Sequence, residues 1–183
     1  MQKETNVAHG LRWGMIIGVV YCIFLFLRYN QGEKNPMMFG LWTFIGFTTV
    51  LVLLLISGLK RKKALGGYIE LRDAFQTMFM AVLGFEFLYM AFNFLYLKFI
   101  NPDFFPNFKI AMENFLEQNN VGDEQIKQRI EMFDKDAAKN MNLGGSFSTF
   151  AFSIMISGIF ALLFALIIKK RRPFQSSQEN HSL

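Results

Sequence analysis

Four long stretches almost free of charge constrain this 183-residue chain more than any other feature. In the clearest stretch, 25 uncharged residues, Asn35 to Leu59, lie between Lys34 and Lys60. A helix that rises about 1.5 Å per residue needs roughly 20 apolar residues to cross a hydrocarbon core of about 30 Å. We therefore predict an all-α integral membrane four-helix bundle, a single domain with spans at about residues 8–29, 37–59, 74–97 and 147–168.

The composition agrees with a membrane location. Apolar residues make up 52% of the chain and charged residues only 18%, whereas soluble domains carry about 25% charged residues. A single cysteine excludes a disulfide-stapled secreted domain. The high apolar content also excludes a soluble enzyme and a disordered tail.

Two basic clusters predict the orientation of the spans. One cluster follows the second span and the other follows the fourth. Positive residues beside spans favour the cytoplasmic side, so we expect both termini, and the basic tail 169–183, in the cytoplasm of a bacterium with the spans in its inner membrane. Because the clusters lie beside span ends, we expect them to contact anionic lipid rather than nucleic acid. They comprise Lys60, Arg61, Lys62, Lys63, Lys169, Lys170, Arg171 and Arg172.

The first and third spans contain charged residues that need an explanation. Only 15 residues separate Arg12 from Arg28, and we expect both side chains to extend to the lipid head groups. The third span carries Glu86 at its centre. A central acid costs up to about 3 kcal/mol, and the apolar residues of this span return roughly 3–6 kcal/mol, so we predict that it inserts.

A hydrophilic segment, residues 98–142, separates the third and fourth spans, and we place it outside the cytoplasm. Apolar residues recur there at helical spacing on both sides of a break at residues 119–122. We predict two short helices, with Asp123 capping the second. They form either a lid over the outer end of the bundle or a surface that binds a ligand or partner.

Short motifs resemble a known family. Gly66-Gly67-Tyr68-Ile69 is followed after four residues by Ala74-Phe75, and Asn101-Pro102-Asp103-Phe104 opens the insert. Together with Ile156-Ser157-Gly158-Ile159, these motifs resemble the bacterial membrane family called domain of unknown function 4199. The loop Glu70-Leu71-Arg72-Asp73 departs from the Ser-Phe-Gly pattern of that family. The resemblance implies a four-span inner-membrane protein with an extracytoplasmic insert, and it implies no catalytic residues.

A polar stripe in the third span is the main candidate site. Glu86, Tyr89 and Asn93 lie at helical spacing on one face. Tyr21 and Ser157 lie at similar depth in the first and fourth spans, so a polar layer near the bilayer centre is geometrically possible. Ionisable residues at membrane depth suggest function by default, but a protonated, hydrogen-bonded structural acid is the alternative.

Small residues form two ridges that favour close helix packing. One ridge includes Gly14 and Gly18 in the first span, and the other includes Ser153 and Ala161 in the fourth. Such ridges serve contacts within one chain or in a homodimer.

The sequence lacks the patterns of common catalytic and cofactor sites. Of its two histidines, His9 lies at the very start of the first predicted span and His181 in the basic tail, so no pair of histidines lies within the spans, and no glycine loop typical of phosphate binding is present. We therefore expect no cofactor, no metal and no enzymatic activity. The favoured hypothesis is a structural, scaffold or accessory membrane subunit, whose candidate partners are another membrane protein or a second copy of the chain. The alternative is a small proton-coupled carrier that works as a dimer and uses Glu86.

Overall fold

The structure, a computed structural model, describes residues 5–141 and 143–171 and is an all-α bundle. Four long helices carry the bundle, and two shorter helices form the insert. A π-helical turn, Tyr96–Ile100, continues the third helix. In chain order the helices are α1 (Asn6–Gly32), α2 (Pro36–Ala64), α3 (Leu71–Leu95), α4 (Phe104–Gln118), α5 (Asp123–Met141) and α6 (Leu143–Ile168).

Local chemistry explains where several helices begin. The Thr5 side chain accepts a hydrogen bond from the Ala8 backbone N–H at 3.1 Å and so caps α1. Asn35 caps α2 in the same way, with Pro36 at the first helical position, where its missing N–H costs nothing. The second insert helix begins at Asp123 itself, so the predicted cap is placed one residue late.

Four helical stretches are long and apolar enough to cross a membrane: residues 6–32, 36–64, 71–100 and 147–168. Large apolar side chains such as Phe44 and Ile167 are exposed on their outer faces, as lipid-facing residues are. The first three stretches are longer than the predicted spans because each helix continues into polar residues at its ends. The four spanning helices thus form a bundle whose outer surface is apolar.

The closest contact in the bundle joins α1 to α3, and it depends on glycine. A methyl group added at Gly14 would lie 2.6 Å from the backbone oxygen of Ala81, and one added at Gly84 would lie 3.1 Å from the Cα of Gly14. On the other side of α3, α6 contributes Ala161 and Ala165, both fully buried. Helix α3 is therefore the central element of the bundle.

The insert helices pack on one end of the bundle through an aromatic cluster. Phe104 at the start of α4 is fully buried against Tyr29 and Phe39, with ring centroids 4.8 and 6.1 Å away. Phe133 of α5 lies 5.3 Å from the ring of Phe108. The insert therefore packs over this end of the bundle.

A surface ion pair also joins the two insert helices. Lys109 Nζ lies 2.7 Å from Asp134 Oδ2, and the hydrogen bond to Asp134 raises the pKa of Lys109. Both groups are exposed, so this pair adds little to the aromatic packing.

At the opposite end of the bundle, the connection between α2 and α3 is tied to the end of α6. Gly66 and Gly67 have φ angles of +83° and +87°, a backbone conformation that favours glycine. The chain then forms an antiparallel bridge in which the Ile69 N–H donates to Lys170 O at 3.0 Å and the Lys170 N–H donates to Ile69 O at 2.9 Å. The end of the last spanning helix is thus fixed to the start of α3.

Candidate functional site

Glu86 lies buried between α3 and α6. The hydroxyls of Ser153 and Ser157 both donate to Glu86 Oε1, at 2.7 and 2.8 Å, and the side chain is 2% exposed. The other oxygen, Oε2, is buried with no hydrogen-bond partner among the described residues. The serines are four residues apart on α6, so one face of that helix presents both hydroxyls to the same acid. Ser153, predicted as a packing residue, therefore also supplies a polar contact.

The rest of the predicted polar stripe turns toward α1 rather than α6. Tyr89 packs on Tyr21 with ring centroids 5.7 Å apart, and Tyr21 also meets the edge of Phe85. Asn93 Oδ1 accepts a hydrogen bond from the Tyr29 hydroxyl. The stripe is thus divided between two neighbouring helices, so Glu86 and Asn93 belong to separate polar clusters.

Arg28 joins the second cluster, which sequence reasoning did not predict. Its guanidinium carbon lies 4.8 Å from the Tyr29 ring centroid and 4.5 Å from that of Phe39. Its Nη2 donates to the Tyr29 hydroxyl at 3.0 Å, so Tyr29 links Arg28 to Asn93. The Arg28 side chain packs against aromatic rings of the bundle by cation–π contact rather than extending freely away from it. The sequence signal that could have indicated this is the adjacent Tyr29 with Phe39 across a short connection.

A threonine of α2 and the predicted packing glycines have simpler surroundings. Thr49 Oγ1 donates to the Ile45 carbonyl of its own helix at 2.9 Å. A methyl group added at Gly18 would lie 2.6 Å from Leu88 Cδ1, so Gly18, like Gly14, faces α3. These glycines serve contacts within the chain.

The basic residues at the end of α2 do not share one environment. Arg61 is 5% exposed, and its Nε donates to Asn6 Oδ1 at 2.7 Å, while the Asn6 amide donates to Asp73. The Lys60 ammonium lies 5.0 Å from the ring centroid of Trp13. Arg61 therefore takes part in a network that joins α1, α2 and α3.

An open groove lies beside the Ile69–Lys170 bridge. Its volume is about 970 Å³, and its lining includes Arg72, Lys169, Lys170 and Arg171 together with the acidic Glu70. The Lys170 ammonium lies 5.3 Å from the Tyr68 ring centroid. Arg172, the last residue of the predicted lipid-contacting set, lies outside the described residues, as does most of the basic tail.

Within residues 5–141 and 143–171, no group of three His, Cys, Asp or Glu residues comes together to hold a metal ion. His9, the histidine that the structure describes, is buried with its Nε2 3.3 Å from the carbonyl oxygen of Ser57. The geometry thus offers two polar clusters, the Glu86–serine cluster and the Arg28–Tyr29–Asn93 cluster.

A comparison with protein families gives one match. The model of the family described as "Protein of unknown function (DUF4199)" matches residues 12–170, which is most of the chain. No curated protein and no solved structure matches the chain. The resemblance seen in the short motifs is confirmed.

Proposed function

We propose that this chain, which belongs to the DUF4199 family of proteins of unknown function, is a non-enzymatic structural or accessory protein of a bacterial inner membrane. The observation that carries the proposal is the set of contacts that Glu86 makes between α3 and α6. Its Oε1 accepts two serine hydroxyls from α6, and its side chain is sealed from the surface. An acid held in this way fixes the distance and rotation between two helices.

The proposal treats Glu86 as neutral. A charged carboxylate in an apolar interior costs far more free energy than a protonated one, and no cation lies within ion-pair distance of it among the described residues. A neutral carboxyl whose carbonyl oxygen accepts two hydroxyls needs no counter-ion. Its role is then that of an interhelical hydrogen bond, worth about 0.6 kcal/mol on average and up to about 1.7 kcal/mol in membrane proteins.

The second candidate is a proton-coupled carrier, and one observation favours it. Glu86 Oε2 is buried with no partner among the described residues. In a carrier, an oxygen without a partner would be free to exchange a proton with a substrate. Against it, neither the groove of about 970 Å³ nor the small cavity beside Arg28 is lined by Glu86. A route for protons through either opening would therefore have to form by helix movement.

Glu86→Gln separates the two candidates, because glutamine keeps an oxygen that accepts both serine hydroxyls but carries no exchangeable acid proton. We expect purified protein in liposomes to show no proton flux with or without a lipophilic cation. We expect Glu86→Gln to keep the wild-type thermal midpoint, and Glu86→Leu to lose about 1 kcal/mol of stability. Ser153→Ala is the matched control, since it removes one of the two donors and should cost less than Glu86→Leu. Proton flux in the wild type that disappears in Glu86→Gln would establish the carrier instead.

The partners follow from the same proposal. Lys60, Lys62 and Lys63 on one side of the inner end, and Lys169, Lys170 and Arg171 on the other, would contact anionic lipid of the cytoplasmic leaflet, each charge near the surface contributing roughly 1 kcal/mol. Arg61 is left out of this set because its side chain is buried. The glycine ridge is occupied by α3, so a homodimer or a membrane-protein partner would use another face.

A further inference from the structure

A small cavity lies between the bundle and the insert, beside the Arg28–Tyr29–Asn93 cluster. Its volume is about 170 Å³, and Arg28, Tyr89 and Asn93 line it from the bundle, while Phe133 and Asp136 line it from α5. An apolar cavity of about 150 Å³ holds one benzene molecule, so this space admits a head group and not a whole lipid.

Among the residues that the structure describes, Arg28 has no counter-ion. No carboxylate of the described residues lies within ion-pair distance of it, and its Nε is buried with no hydrogen-bond partner among them. Its contacts include the Tyr29 hydroxyl, the faces of the Tyr29 and Phe39 rings, and the Tyr89 side chain. A buried cation without a counter-ion costs free energy, and an anionic oxygen against the guanidinium would remove that cost.

Asp136 gives the cavity a second, opposite charge. The Asp136 side chain is exposed, whereas Arg28 is partly buried, so the acidic group marks the open side and the basic group the deep side. The helices that border the cavity expose large apolar side chains near the same level, including Phe26 of α1, Leu95 of α3 and Phe152 of α6. A ligand that fits all three features carries an inner anion, an outer cation and an apolar tail.

We infer that the Arg28 cavity binds the head group of a zwitterionic phospholipid that carries a primary amine. The phosphate lies against the Arg28 guanidinium where that group lines the cavity, the ammonium group lies toward Asp136, and the acyl chains lie along the exposed apolar faces of the bordering helices. A charge-assisted hydrogen bond of this kind is stronger than a neutral one. This inference does not depend on Glu86, which is held in the other cluster.

Lipid titration of the purified full-length protein in detergent tests the inference, with the thermal midpoint as readout. The probes are short-chain phosphatidylethanolamine, short-chain phosphatidylglycerol, free phosphoethanolamine and inorganic phosphate. We expect phosphatidylethanolamine to raise the midpoint saturably and at the lowest concentration of the four. Arg28→Gln should weaken its apparent affinity about tenfold or more, since a hydrogen bond to a charged group is worth roughly 1.5–3 kcal/mol. Arg12→Gln, at the other end of α1, is the matched control and should keep the wild-type response.

Two further variants keep the test decisive if Arg28→Gln does not fold. Asp136→Asn should remove the preference for phosphatidylethanolamine over phosphatidylglycerol while phosphate-dependent binding remains. Ala137→Phe should fill the cavity and abolish the response with Arg28 still present, because Ala137 is buried in its lining. An equal response to inorganic phosphate would overturn the lipid as the source of the anion. No head-group-dependent shift in the wild type, or an unchanged shift in Ala137→Phe, would overturn the site itself.

Discussion

Glu86 of α3 and Arg28 of α1 are ionisable side chains on two adjacent helices of the bundle, and they make different kinds of contact. Two serine hydroxyls of α6 donate hydrogen bonds to Glu86. Arg28 packs on the rings of Tyr29 and Phe39 and donates to the Tyr29 hydroxyl. The acid is thereby held by hydrogen bonds, and the base by ring contacts together with a hydroxyl.

The Tyr29 hydroxyl is hydrogen-bonded to both Arg28 and Asn93. The substitution Tyr29→Phe removes this hydroxyl alone. The ring stays in its stack with Tyr96, whose centroid is 4.9 Å away, but Arg28 and Asn93 each lose a partner. We expect a loss of about 1–3 kcal/mol, the cost of leaving buried polar groups unpaired, measured by thermal or denaturant unfolding in detergent.

Tyr68→Phe provides the comparison for that substitution. It removes the same hydroxyl at the other end of the bundle, where the ring contact with Lys170 remains, and it should change stability by less than about 0.5 kcal/mol. Equal losses in the two variants would show that the Tyr29 hydroxyl carries no special share of the stability.

The similar depth of Glu86 and Ser157 is readable from the sequence, but which helix each face of α3 meets is not. Counting residues places Glu86 near the middle of its span, and helical spacing places Tyr89 and Asn93 on nearby faces. Which helix each face meets depends on how the helices are rotated, and hydropathy carries no information about rotation when every span is apolar all round. For that reason Ser153 and Ser157, rather than Tyr21, meet the acid.

At the level of the helices, the α1–α3 contact is the one most sensitive to side-chain volume. Gly14→Ala places a methyl group against the backbone of Ala81, which cannot move away as a flexible side chain can. We expect a loss of about 1–3 kcal/mol from this overpacking, measured by unfolding in detergent.

Gly40→Ala is the matched control, because a methyl group at that helical position meets nothing within 4 Å. It should leave stability unchanged or raise it by up to about 1 kcal/mol, since alanine favours a helix more than glycine does. Equal effects of the two substitutions would contradict a close α1–α3 contact.

The helices were predictable from length and apolar content because each must cover the hydrocarbon thickness. The break in the insert was predictable too, and Asn120 there has a positive φ of 56°, which asparagine tolerates. The π-helical turn after α3 was not predictable, since no proline or glycine lies within Tyr96–Ile100 to signal it. Tertiary packing of Tyr96 and Leu97, both buried, accompanies this change of helix type.

For the whole molecule, the orientation is testable with single cysteines in a Cys22→Ser background. Gly122→Cys lies in the insert and Lys63→Cys at the opposite end of the bundle, and both positions are exposed. We expect a membrane-impermeant maleimide to label Gly122→Cys in intact spheroplasts and Lys63→Cys only after lysis, because the basic clusters favour the cytoplasmic side. Labelling in the reverse order would invert the topology, and the parent Cys22→Ser protein gives the background.

The Ile69–Lys170 bridge has a mechanical consequence for the last helix. The two serines of α6 fix its rotation against α3 halfway along, while the bridge anchors its far end to the segment that leads into α3. Sliding α6 along its axis by a single residue, about 1.5 Å, would break both sets of hydrogen bonds together. The pair α3 and α6 therefore resists sliding of one helix along the other.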